Sequence, residues 1–292
     1  MPLLVALAAS LLLAGCALSD SGPEPDRSAS QTAPTADEPP RANEPLPGAP
    51  AALANRLTQT QRALEQAIDR WRSEGDPREG GPPRPVVLLA LHQQRIHLLL
   101  IGRRGLASRV LARVSARVAA SARATIVARR GLGRITPPAP RRRFETGPAE
   151  PAGVLLRHYR QAQRRFGVAW PVLAAVNFVE SAFGRLRNES SAGAQGPMQF
   201  IDSTWKAYGM GGDVHDPHDA ILGAANYLHA NGAPGNYRRA LYHYNPASAY
   251  VDAVLGFARQ IRHDPRAYFG YYSWQVFVRT PSGVRRITGP GA

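Results

Sequence analysis

Between Trp170 and Trp205 the chain reads WPVLAAVNFVESAFGRLRNESSAGAQGPMQFIDSTW, which sets one acid among residues that belong in a core. Leu173, Val176 and Glu180 recur at spacings of three and four, so on a helix the Glu180 carboxylate shares a stripe with buried side chains. Burial disfavours the ionised form, and the last turn of a helix, with its unpaired carbonyls, disfavours it further. Both effects push the pKa from roughly 4.3 toward neutrality, where a general acid must work. Taken alone, Glu180 equally fits a surface acid that reaches water or pairs with Arg185 or Arg187. The next stretch, SSAGAQGPMQF, is uncharged and glycine-rich. Gly193 and Gly196 let its backbone approach a ligand, and Gln195 and Gln199 supply donors and acceptors without charge. Neutral polar groups beside an isolated acid suit a sugar better than a phosphate or a metal ion.

These residues need elements to hold them. Pro171 fits the first turn of a helix carrying Glu180, and Gly184 fits the left-handed position just past its end. Asp202 or Ser203 caps the following helix. Further on, NYRRALYHYNPASAYVDAVLGFARQI gives two helices broken at Asn245-Pro246, so Tyr244 and Asn245 sit at a helix end, where a hydroxyl and an amide can point into a cleft. The alternative there is a core tyrosine with a capping Asn. Asp213, Asp216 and Asp219 raise the possibility of calcium, but their spacing lacks the glycine and the closing glutamate of an EF-hand loop. Asp216-Pro217 reads instead as a cap and first turn of another helix. The tail YYSWQVFVRTPSGVRRI alternates like a strand or short hairpin that packs on the domain surface.

Glu180-Ser181, then Gly196-Pro197-Met198-Gln199-Phe200, then Ser203-Thr204-Trp205 and Tyr244-Asn245 resemble the motifs of lytic transglycosylases of the lysozyme-like superfamily, in that family's order, over about residues 150–262. Many members carry Leu where this chain has Pro197, and Ala where it has His243. The resemblance implies a mainly α fold: a lysozyme-like all-helical catalytic domain, preceded here by a smaller helical region and a disordered N-terminal tether. It implies cleavage of the β-1,4 bond after N-acetylmuramic acid in peptidoglycan, leaving 1,6-anhydro ends. Glu180 is then the catalytic acid, and Ser181, Gln195, Met198, Gln199, Phe200, Tyr244 and Asn245 form the substrate site. No metal and no cofactor are required. The residues themselves fit this chemistry, because a water-using glycosidase commonly needs two carboxyl groups and no second acid stands out beyond Asp202, which reads as a cap. A hydrolytic muramidase and a non-catalytic peptidoglycan-binding lipoprotein are the alternatives.

The chain has 292 residues, enough for one large or two small domains, with 36 basic and 21 acidic side chains and a single lysine, Lys206. One cysteine, Cys16, excludes an internal disulfide framework. It follows a short apolar run and Leu13-Ala14-Gly15, a pattern that resembles a bacterial lipoprotein cleavage box. That reading makes 1–15 a signal peptide, Cys16 a lipidation site, and the protein extracytoplasmic with a membrane anchor. Residues 16–50, rich in Pro, Ser and Ala, form the tether.

A basic helical region follows over 51–135, then a linker over 136–150, the catalytic domain over 151–270 and the C-terminal tail over 271–292. Leu53, Leu57, Leu64, Ile68 and Trp71 share one helical face. Residues 86–101 are apolar but interrupted by His92, Arg95 and His97, which marks a buried helix with core histidines. The spacing predicts one further helix over 105–130. From 80 to 144 there are fourteen arginines and no acid. That run is either a solvated face or a patch that attracts anionic lipids or acidic wall polymers. An exported lipoprotein has no nucleic-acid partner.

Overall fold

The computed structural model describes residues 38–138, 144–281 and 283–292. The lipobox-like sequence with Cys16, most of the tether, and Arg141, Arg142 and Arg143 lie outside the described residues.

Helix α1 (Pro50–Glu74) opens on a proline in its first turn and buries Leu53, Leu57, Leu64, Ile68 and Trp71, the face its spacing predicts. After a Gly- and Pro-rich break it packs on α2 (Arg84–Gly102). By length and composition α2 could cross a membrane, yet 67% of that window is buried inside the protein. His92 and His97 both lie in its buried face.

The single helix predicted over 105–130 is two helices: α3 (Arg104–Leu111) and α4 (Ala116–Ile135). The Ser115 hydroxyl accepts a hydrogen bond from the Val118 N–H and caps α4, a role that Ser fills better than a helix-interior position. The break is needed because α3 packs on α1 while α4 packs chiefly on α10 (Ser248–His263), and one straight rod cannot follow both.

At the centre lies α6 (Trp170–Ser181), whose residues from Pro171 to Ser181 are all buried, so its apolar surface runs round the whole helix. It is enclosed by α10, α5 (Ala152–Phe166), α8 (Pro217–Ala230) and α11 (Arg266–Tyr272). Each fully buried aliphatic or aromatic side chain contributes about 1.5–3 kcal/mol of transfer free energy. Leu173, Val176 and Phe178 therefore help offset the cost of burying Glu180 among them. Two short helices, α7 (Asp202–Tyr208) and α9 (Tyr237–Tyr244), flank the connecting loops. The tail forms the expected hairpin: β1 (Phe277–Thr280) pairs antiparallel with β2 (Gly283–Arg286), Phe277 opposite Arg286. Its root is no surface feature, since Trp274, Val276 and Val278 enter the main core.

That core is continuous from Leu64 to Val278, and a smaller second core joins α1 to α4 around Leu57, Ile96 and Ile126. Arg129 of α4 is driven through the seam. Only 3% exposed, its guanidinium carbon sits 4.9 Å from the Phe178 ring centroid, 5.8 Å from that of Phe257 and 5.1 Å from that of Trp274. Aromatic faces are its principal partners, and burial lowers its pKa to about 9.

Candidate functional site

Glu180 occupies the last turn of α6 and is 2% exposed. The Tyr250 hydroxyl, on α10, donates to its Oε1 at 2.6 Å, while Oε2 makes no hydrogen bond among the described residues. Burial drives the carboxyl up to about 8, and the Tyr250 hydrogen bond pulls part of the way back. No charged residue contributes to the shift. Neither Arg185 nor Arg187 pairs with it: Arg185 donates to the Ala182 carbonyl and stacks on Tyr272, and Arg187 donates to the Pro148 carbonyl. At neutral pH the group is therefore a carboxylic acid held in place by a phenol.

Past the end of α6 Gly184 is left-handed, as expected, but it is not the first residue to turn. Ala182 (φ 52°) and Phe183 (φ 65°) are also left-handed, and Gly184 follows at φ 81°. The Phe183 N–H reaches the Asn177 carbonyl and the Ala182 N–H the Phe178 carbonyl, which closes the helix. The strain of two non-glycine residues is offset by burial, because Phe183 packs on Phe178, Tyr268 and Tyr272.

The glycine-rich loop is fastened to this turn. Ser181 donates from its hydroxyl to the Pro197 carbonyl at 2.5 Å and accepts from the Gly184 N–H at 2.8 Å. Asn177, one turn earlier, donates to the Met198 sulfur. Tyr244 donates to the Met198 carbonyl at 2.6 Å. Its hydroxyl is thus committed to the loop, unlike the free cleft-facing group the sequence suggests, and its ring stacks parallel to Tyr250 at 6.5 Å. Gln195 and Phe200 pair through their backbones, and the Phe200 ring contacts Trp205 and Tyr244. Gln199 adopts φ 53°, donates to the Gly196 carbonyl, and keeps a buried Oε1 with no partner. Asn245 caps α9 through its backbone and keeps a buried Nδ2 without a partner. Those two amide groups can answer a ligand's donors and acceptors. A small cavity lined by Gln199, Phe200, Ile201, Thr204, Tyr227 and Tyr244 marks the cleft wall.

The structure thus brings Glu180, Ser181, Met198, Gln199, Phe200 and Tyr244 together through α6, the loop and α9. Gly196 serves the scaffold: at φ 71°, a Cβ there would lie 1.9 Å from the Val214 carbonyl oxygen, so the close backbone approach it allows is to the protein itself. Asp202 and Ser203 do not cap α7 through their side chains. Ile201 holds that position, and Asp202 is an exposed acid paired with Lys206 at 2.7 Å. Asp216, as predicted, caps α8 by accepting from the Asp219 N–H. Asp216, His218 and Asp219 bring potential ligand atoms within 4.8 Å of one another, but their hydrogen bonds are spent on Asp219, Asp213 and each other. Tyr250 is the residue that reading the sequence misses. Its signal is present: Tyr250, Val254, Phe257 and Ile261 form one fully buried stripe of α10, with a single hydroxyl in it.

Residues 157–258 match the family model described as the transglycosylase SLT domain. These residues form an SLT transglycosylase domain. Its fold is the all-helical lysozyme-like one that the motif resemblance implied. Within the chain, 74 residues are 35% identical to the membrane-bound lytic murein transglycosylase F of Thiobacillus denitrificans. That match covers 25% of this chain and only 15% of the relative's length. No solved structure matches the chain. The matched segment includes α6, the loop and Tyr250, but not α1, α2 and α4, which add side chains to its core.

Proposed function

We propose that this protein cleaves the β-1,4 bond between N-acetylmuramic acid and N-acetylglucosamine in peptidoglycan, with Glu180 as its catalytic residue and 1,6-anhydro-N-acetylmuramic acid as the new end. The observation that carries the reading is a buried carboxyl, protonated at neutral pH, fixed by Tyr250 and shifted by no charged neighbour. The SLT match supports it.

In this reaction Glu180 gives its proton to the leaving oxygen as the bond to the muramic anomeric carbon breaks. The sugar's own 2-acetamido oxygen bonds to that carbon. The Glu180 carboxylate then takes the proton of the C6 hydroxyl, whose oxygen displaces the acetamido group and closes the ring. The acid is restored, no water is consumed, and an intramolecular nucleophile replaces a captured one. Tyr250 suits both halves: by donating to Oε1 it leaves Oε2 for the proton and steadies the carboxylate between the steps. Gln199 Oε1 and Asn245 Nδ2 are placed to orient the sugar, while Ser181, Met198 and Tyr244 hold the loop that presents Gln199. Gln195 and Phe200 shape the same loop.

Digestion of purified peptidoglycan followed by mass analysis tests the reading. Anhydro ends, lighter by one water than hydrolytic ends, are expected. Predominantly reducing ends would make the protein a muramidase, and bound glycan without products would make it a wall-binding protein.

We also place the protein in the cell envelope, membrane-attached through a lipid on Cys16. Unchanged membrane fractionation of Cys16→Ala would refute the anchor. Arg103, Arg104, Arg109 and Arg113, exposed around the α2–α4 turns, support attraction to anionic lipids or wall polymers. Such binding must weaken with salt, since charge attraction is screened over about 10 Å at 0.1 M.

A further inference from the structure

A second cavity, of about 620 Å³, opens at the seam where α1, α2 and α4 meet α10 and α11, and shares no lining residue with the small cavity beside Gln199 and Tyr244. Its polar walls are already built. On one side Trp274 donates to Gln93, Gln93 to Gln61, Gln61 to Glu65, and Arg117 donates to Glu65 at 2.7 Å. On the other, Ser121 donates to Gln260, which reaches Thr125, itself 3.3 Å from the Tyr271 hydroxyl. Asp264 is held by Arg266.

Two lining groups stay outside these networks. His97, 4% exposed, has a buried Nδ1 without a partner. Burial lowers its pKa to about 4, so at neutral pH it adds hydrogen-bonding capacity and no charge. Arg259, at the mouth, has no carboxylate partner among the described residues and leaves an uncompensated positive charge.

Between them the surface is apolar, with Leu64, Ile68 and Tyr271 beside Gly256 and Gly270. Both glycines lie within helices, where Gly costs about 1 kcal/mol relative to Ala. Sterics do not demand them: an added Cβ would come no closer than 4.0 Å to any neighbour at Gly256 and 3.9 Å at Gly270. The missing side chains leave room in a cavity whose size suits a small ligand.

We propose that this cavity binds a small amphipathic carboxylate, its head group on Arg259 and its apolar body over Leu64, Ile68 and Tyr271, beside the unpartnered Nδ1 of His97. Charge complementarity selects an anion, because both acids of the lining are already matched by arginines. The inference stands independently of the chemistry at Glu180.

Titration calorimetry at neutral pH, with decanoate kept below its micelle-forming concentration and decylammonium as the opposite charge, tests it. Saturable decanoate binding is expected, with none for decylammonium. Gly270→Leu fills the cavity and must abolish the decanoate heat while thermal stability and glycan cleavage persist. Arg259→Glu, an exposed change that spares the fold, must weaken binding by about tenfold or more. No saturable heat with the wild-type protein, equal binding of decylammonium, or decanoate affinity untouched by Arg259→Glu would each overturn the proposal.

Discussion

Replacing Glu180 with Gln should make the protein more stable, and by an amount that grows with pH. The amide keeps the side chain's shape and still accepts from the Tyr250 hydroxyl, but it never ionises. In the wild type the folded carboxyl titrates at about 8 against 4.5 in an unfolded chain. Below pH 4.5 both states hold the proton and the group contributes nothing to the pH dependence. Between 4.5 and about 8 the unfolded state has lost a proton that the folded state keeps, so each pH unit costs the native protein about 1.4 kcal/mol. Taken at face value the span amounts to roughly 5 kcal/mol, and relaxation around a buried charge reduces it to about 2–5 kcal/mol. At about 2–4 °C per kcal/mol for a chain of this size, the Tm of Glu180→Gln should exceed that of the wild type by about 4–20 °C at pH 8.5, and the two should nearly coincide at pH 4.5. Thermal unfolding followed by circular dichroism across that range measures the difference. Parallel pH profiles would show that Glu180 is not held protonated, and the argument for it as an acid would fall with them. The same variant should lose at least about 10²-fold in glycan cleavage, and wild-type activity should decline as pH rises through about 8.

Tyr250→Phe removes the hydrogen bond that lowers the Glu180 pKa, so the alkaline limb of the activity profile should move to higher pH while turnover falls; an unmoved limb would separate Tyr250 from the acid. Gly196→Ala forces a Cβ to within 1.9 Å of the Val214 carbonyl at a positive φ and should lower both Tm and soluble yield, with wild-type values arguing against the loop geometry. Arg129→Met replaces a buried guanidinium that has no carboxylate partner with an apolar chain of similar length, so Tm should hold or rise; Arg129→Ala leaves a cavity among Phe178, Phe257 and Trp274 and should cost about 2–5 kcal/mol in chemical denaturation. A drop of equal size in both variants would mean that the charge itself, more than the packing, holds the seam.

Local patterns carried much of this in the sequence. The face of α1, the cap at Asp216, the hairpin in the tail and the burial of Glu180 each follow from spacing or from one residue's chemistry. The split at Ser115 was not legible, because Val114 and Val118 continue a helical period and only the separate destinations of α3 and α4 make a break worthwhile. The left-handed turn at Ala182 and Phe183 escaped for a similar reason: neither residue favours it, and only the aromatic pocket that receives Phe183 compensates. Tyr250 lies seventy residues from Glu180, and its hydroxyl looks idle until the fold sets α10 beside α6. Tyr244 shows the reverse, a hydroxyl that seemed free for a ligand and instead anchors Met198.

The packing of α4 against α10 also limits how this protein can be taken apart. The family match begins at residue 157, which invites expression of the chain from that residue onward. Such a fragment would lose α4, α1 and the Arg129 plug together. Phe257, Phe269 and Trp274, now beneath them, would face water as one adhesive aromatic surface. Helices α1 and α4 act as the lid of this core, so a fragment that keeps it covered must start no later than α1.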